Sequence, residues 1–280
     1  MALRACCRAL PRLADPSMRV ASLYRYPVKG LSPEPVGRAE LVEGGYFPGD
    51  RLFAIENGPS GFDPSRPEHQ PKIKYLMLMR HELLARLRTR YDDASGELSI
   101  GYEAGTALRA DTRSAEGRRE IAAFFEGFMP EALAGEPRWL SAPDGYRFTD
   151  SPRGFVSIIN LASVADLERR MGQPVDPLRF RGNVMVEGLK PWEEFDLVGS
   201  EITAPSGLRL RVTKRIVRCA ATNVDPATGL RDLQIPRFLM QSFGHADCGV
   251  YCEVIASGTI GPGERLAIQS ADAPAALGIA

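Results

Sequence analysis

The sequence predicts a mainly β fold with several helices, an α+β protein in which a β-barrel domain follows a smaller β-rich N-terminal domain. Three observations predict it. Six short strand-like runs crowd residues 183–268 between turns that carry Gly or Pro, the density expected of a closed barrel. Two stretches repeat apolar residues at helical spacing behind capping residues. Residues 135–146, dense in Gly and Pro, mark the boundary between an N-terminal domain (18–140) and a second one (141–270).

Taken in order, residues 1–17 carry Arg4, Arg8 and Arg12 with no acid before Asp15 and no continuous apolar core. They read as a disordered or upstream-start extension, with a mitochondrial address as the alternative. Residues 20–26 form a strand that Pro27 ends, and the turn Val28-Lys29-Gly30 leaves Lys29 at a strand end. A short strand is expected over 40–43, a turn at Gly44-Gly45, and a type II turn at Pro48-Gly49 feeding a strand over 51–55. Arg51 then shares a face with Phe53 and Ile55, so its head either meets a bound anion at the end of the row or snorkels to solvent. Residues 57–70 read as a long loop. Residues 73–79 read as a strand, 80–87 as a short helix and Ala94-Ser95-Gly96 as a hairpin turn. Ser114 caps a helix whose Ile121, Phe124, Phe125 and Phe128 face the core and which Pro130 stops. Asn160 caps a second helix with Val164, Leu167 and Met171, closed by Gly172 and Pro174. Strands are expected at 183–187, 201–204, 208–213, 215–219, 250–256 and 265–268, and a flexible tail at 271–280.

Composition removes several function classes. The 35 basic and 35 acidic residues cancel, so no whole-chain field attracts nucleic acid. No run approaches the roughly 18 apolar residues of a membrane span. Five cysteines at 6, 7, 219, 248 and 252 do not form a disulfide framework and fit a reducing compartment, which predicts a cytoplasmic protein. The chain has no Gly-x-Gly-x-x-Gly after a strand, no Walker loop, no His-Glu-x-x-His and no nucleophile elbow. Its three histidines offer a cysteine hydrolase few candidate bases.

The chemistry centres on Cys219, placed where an alternating strand gives out into the loop that runs to Gly229. Such a thiol is either a small core hydrophobe or a reactive group. A zinc site from His245, Cys248, Cys252 and Cys219 is disfavoured, because four extended residues separate two sulfurs by roughly 13 Å. What remains is one thiol with Lys29, Arg51 and Arg181 at other strand ends. Thiolate suits a soft metal and these cations suit phosphate, the donor set for a phosphate-bearing cofactor with a soft metal. In a regular strand Arg218 points away from Cys219.

Four motifs in order, Tyr26-Pro27-Val28-Lys29, Asp50-Arg51-Leu52-Phe53, Phe180-Arg181-Gly182-Asn183 and Arg218-Cys219 followed by Thr222, Val224-Asp225-Pro226 and Thr228-Gly229, resemble MOSC proteins with an N-terminal β-barrel domain. The similarity covers roughly residues 18–268 and extends to bacterial relatives of the mitochondrial amidoxime reducing component. It implies a molybdenum cofactor, molybdopterin, held between the two domains, with Cys219 as the catalytic protein sulfur on molybdenum. It further implies that Lys29, Arg51 and Arg181 hold the pterin's phosphate and polar edge and that Asn183 and Tyr251 line the pocket. Two positions depart from the pattern: Gly30 and Asn160 stand where many relatives have hydroxyl residues, though the Asn160 amide can still bond a cofactor. The implied reaction is two-electron reduction of N-hydroxylated compounds with loss of water, fed by a separate ferredoxin- or flavoprotein-type donor. Some relatives carry a ferredoxin domain or a fused pyridoxal-phosphate desulfurase, and this chain has room for neither. Two alternatives stay open, a sulfur carrier with a persulfide on Cys219 and a non-catalytic cofactor carrier.

Overall fold

A computed structural model describes residues 18–103, 105–151, 153 and 156–269. The expectations for residues 1–17, including Cys6 and Cys7, and for 271–280 lie outside the described residues. The strands before the first helix are β1 (Met18–Arg25), β2 (Glu34–Val36), β3 (Ala39–Leu41), β4 (Phe53–Asn57), β5 (Leu87–Tyr91), β6 (Glu97–Tyr102) and β7 (Gly105–Asp111). Then come α1 (Ala115–Phe128), β8 (Pro137–Ser141), β9 (Val156–Asn160), α2 (Leu161–Met171), β10 (Val184–Glu187), β11 (Glu201–Thr203) and β12 (Arg209–Val217). The last are α3 (Ile235–Phe243), β13 (Asp247–Ala256), β14 (Gly258–Ile260) and β15 (Arg265–Gln269).

A mainly β protein with a closed seven-stranded barrel results, as expected. Its order is β10-β9-β13-β12-β11-β15-β1, and β1 pairs back onto β10 to close it. Every pairing around the barrel is antiparallel except β9 with β10, which α2 connects as a crossover. Met18, Val20 and Leu23 of β1 pack inside with Ile158, Val184, Leu210 and Val250, all nearly inaccessible. The barrel therefore takes its first strand from the beginning of the described chain and the other six from beyond residue 155. The chain between them forms the β5-β6-β7 meander and the β4-β8 pair. Onto these α1 packs Ile121 and Phe125, against Leu84, Ile100 and Trp139.

The capping expectations hold. Ser114 accepts from Gly117 N–H at the start of α1, and α2 begins at Asn160 and ends on Gly172 in the left-handed conformation. Four expectations do not. Residues 73–79 form no strand: a 3-10 turn at Lys72–Lys74 leads into the buried run Tyr75, Leu76 and Met77, where Tyr75 makes a single bridge to Glu56. The helix over 80–87 is a 3-10 segment, Glu82–Arg86. The two strands over 208–219 are one, β12, kept continuous by register shifts against β13. Arg51 lies before β4 with φ 48°, so it does not continue the row of Phe53 and Ile55.

Cys248 and Cys252 stand on one strand but in different cores. Cys252 packs inside the barrel and Cys248 packs outside it with Ile159, Leu167, Ile235 and Leu239. Among the described residues no group of three or more His, Cys, Asp or Glu converges to hold a metal.

Candidate functional site

Four chain crossings meet at one end of the barrel. The first is the end of β1, where Tyr26 is fully buried and its N–H donates to Asp50 Oδ1 at 2.8 Å. Beyond Pro27 the chain hydrogen-bonds along β4, with Lys29 N–H on Phe53 O at 2.8 Å. That fixes the Lys29 stem, and its Nζ donates to Phe148 O at 3.0 Å and to Asp150 Oδ1 at 2.5 Å. Burial lowers the Lys29 pKa although Asp150 opposes it, and Asp150 is held well below the usual carboxylate range because Lys29 outweighs its own burial. Gly30 has φ 82°, and a Cβ there would meet Leu76 O at 2.9 Å. The backbone there thus suits glycine.

The second and third crossings bring Arg51 and Arg181, both in the left-handed conformation at φ 48° and 51°. Their guanidinium carbons lie 4.4 and 4.3 Å from the centroid of the Tyr26 ring. Arg51 reaches both Asp50 oxygens and donates to Arg181 O at 3.1 Å. Burial works against its charge, and Asp50 more than compensates, raising the pKa. Among the described residues Arg181 pairs with no carboxylate. It donates to Leu31 O at 2.8 Å, its Nη2 is buried without a hydrogen-bond partner, and burial beside Arg51 brings its pKa down to about 10. A guanidinium in this position can take an anion as its counter-charge. Next to it Asn183 accepts from Ser157 N–H and Oγ–H and donates to Tyr24 O, a brace between strands.

The fourth crossing is the end of β12. Arg218 donates to Cys248 O and, at 2.9 Å, to Phe180 O, tying β13 to the residue before Arg181. Cys219 follows, half-buried, and opens a 3-10 turn at Ala220–Asn223. The loop after it is gripped by Arg179, which sequence reasoning missed. Arg179 is buried and donates to Asp225 at 2.9 Å, to both oxygens of Asp232 at 2.9 and 2.8 Å and to Asn223 O at 3.2 Å. Lys72, also missed, contacts Asp150 at 3.5 Å and lines the same cavity as Cys219. Burial opposes its charge, but Asp150 and Cys219 raise its pKa overall.

These groups enclose a cavity of about 560 Å³. Lys29, Arg51, Arg181, Asn183, Cys219 and Tyr251 all line it, joined by Lys72, Asp150 and Arg179. Burial raises the Tyr251 pKa against the pull of Arg218 and Arg51. Asn160 does not line the cavity. Its amide is engaged inside the protein, accepting from Ala162 N–H and donating to Lys190 O at 2.8 Å and Glu194 Oε2 at 2.9 Å. Being the α2 cap, it is used where it stands. The missed residues had no local signal, because Lys72, Asp150 and Arg179 act through partners far away in sequence.

The fold and site define a barrel protein with a cationic, thiol-bearing cavity beside its closing strand. The chain belongs to the MOSC family: the MOSC N-terminal beta barrel domain matches residues 17–142 and the MOSC domain residues 145–267. It is similar to human mitochondrial amidoxime-reducing component 1, 25% identical over 264 residues that cover 84% of this chain and 75% of that protein. Two solved structures also resemble it. The YUAD protein from Bacillus subtilis has a TM-score of 0.43 at 14% identity, over 91% of this chain and 96% of that one. YiiM from Geobacillus stearothermophilus has a TM-score of 0.32 at 23% identity, over 44% and 56%.

Proposed function

We propose that this MOSC protein binds a molybdenum cofactor and reduces N-hydroxylated compounds. One observation carries the reading: a single cavity gathers the Cys219 thiol with the cationic side chains of Lys29, Arg51 and Arg181. The donor set fits the group, since a soft sulfur suits molybdenum and buried cations suit a pterin phosphate. In this reading Cys219 ligates the metal, Lys29, Arg51 and Arg181 hold the phosphate and polar edge, and Asn183 and Tyr251 line the pocket. When bound, the cofactor supplies two-electron redox chemistry beside Cys219. The overall conversion takes R₂N–OH, two electrons and two protons to R₂N–H and water, breaking the N–O bond. Lys72 holds a proton at Nζ beside the sulfur, and Asp150 keeps it charged.

Electrons come from a separate ferredoxin- or flavoprotein-type protein in this reading, in keeping with the human relative's name as a component. The protein is placed in the cytoplasm, supported by the free thiols of Cys219, Cys248 and Cys252. Among the described residues no helix is long and apolar enough to cross a membrane. The test is the metal and pterin content of protein from a molybdate-supplied host, beside Cys219→Ala, with benzamidoxime and an artificial electron donor. Stoichiometric molybdenum, its loss in the variant and amidoxime reduction are expected. Cofactor without reduction would point to a carrier. A folded protein with neither metal nor pterin, but with a persulfide mass on Cys219 after treatment with a cysteine desulfurase, would overturn the proposal in favour of sulfur transfer.

A further inference from the structure

A second cavity of about 250 Å³ adjoins the first, and Gly30, Leu78, Arg179, Arg181 and Ala221 line both. Its character is opposite. Leu31, Pro33, Ala85, Leu178, Val224 and Pro226 line it. Polar side chains border it too, but they are engaged with the protein. Ser32 donates to Leu87 O at 2.6 Å, and Arg88 to Ala85 O and Ala227 O, both at 2.6 Å. Asp176 accepts from Leu178 N–H at 2.8 Å, and Arg179 is held by Asp225 and Asp232. Arg181 Nη1 is on Leu31 O, and its Nη2, though unpartnered, is shielded from open space.

We infer that this second cavity is a binding site for an uncharged apolar group, the organic flank of the substrate whose N–O end lies near Cys219. The link to Cys219 rests on the reductase reading. The apolar preference rests on the walls alone. A charged group entering here would lose its water and find few uncommitted partners, whereas a hydrocarbon loses nothing polar. An apolar cavity of about 150 Å³ accepts benzene, so this one has room for a substituted ring or a fused bicycle. The wall shared through Ala221, two residues after Cys219, places such a ring beside the thiol loop. The substrates are then aryl or long-alkyl N-hydroxylated compounds rather than small polar ones.

The experiment has a binding arm and a kinetic arm. Indole and benzoate are titrated calorimetrically into the full-length protein, alongside Ala85→Trp, which fills the cavity, and Ala227→Trp, which blocks its exposed rim and keeps the test open if the first variant misfolds. Indole is expected to bind the parent, with benzoate and both variants weaker by about tenfold or more, equivalent to roughly 1.4 kcal/mol. In the cofactor-loaded protein, kcat/KM is expected to rise from acetamidoxime to benzamidoxime, and the folded variants are expected to remove that rise while sparing acetamidoxime. Indole binding unchanged in the folded variants, or no indole binding, overturns the site. A flat acetamidoxime-to-benzamidoxime series in an active enzyme overturns its role in holding substrate. Indole binding lost in the variants of a protein without reductase activity supports the apolar site and counts against the reductase reading alone.

Discussion

Three described thiols share the second half of the chain, and their surroundings separate their chemistry. Burial pushes the Cys248 thiol up to about 12 and raises that of Cys252 as well, so neither ionises near neutrality. Cys219 is half-buried on the wall of the cavity that Lys72 also lines. Of these three, iodoacetamide is expected to label Cys219 alone in the folded protein, with the others reacting only after unfolding, as peptide mass analysis would show. A second prediction concerns Glu194, which is fully inaccessible. Asn160 and Ser163 donate to its Oε2, and its Oε1 has no partner. Burial raises its pKa despite those donors. A carboxyl raised in the fold stabilises most below its ordinary value of 4.5, and that contribution disappears as pH climbs through the raised value. Glu194→Gln should therefore unfold in urea with a midpoint that falls less with rising pH than the parent's. Parallel curves from about pH 4 to pH 8 would contradict this.

At the scale of elements, Asn160 and Arg179 each hold a segment that positions the site. Removing the Asn160 cap also strips a donor from Glu194, so Asn160→Ala should cost about 2 kcal/mol or more in chemical denaturation. Under the proposed function the same variant should still bind a pterin, because the side chain does not line the cavity. Arg179→Met removes the cation from Asp225 and from the more exposed Asp232, an expected loss of about 1–2 kcal/mol with a loosened Cys219 loop, measurable by amide exchange at residues 220–232. Which parts of the chain were legible follows from period and distance. The alternation of Leu208, Leu210 and Val212 shows its buried face directly, and the end of that strand locates Cys219. β9 is buried on both faces and so has no alternation to read, while β8 begins at a proline inside a Gly- and Pro-rich stretch. Lys29, Arg51 and Arg181 stand in recognisable motifs. Asp150, Lys72 and Arg179 carry meaning only once remote loops are brought together.

At the scale of the whole molecule, the barrel depends on β1 for closure. Met18 and Arg19 pair with Leu266 and Arg265 of β15, and Arg19 and Leu23 pair on the other side with Glu187 and Val184 of β10. A fragment of residues 143–280 would expose both of those strands as open edges and lack Met18, Val20 and Leu23 from its core. It should show no cooperative unfolding alone and gain it when residues 18–142 are co-expressed; a cooperative transition in the isolated fragment would refute this dependence. The same closure sets a timetable for synthesis. β1 is the first of the described strands to be made, and β2 can pair with it at once, yet its β15 partner is among the last described segments to appear. One edge of β1 therefore stays open until residues 265–269 have been made, and barrel closure is a late step of folding that rests on contacts far apart in sequence.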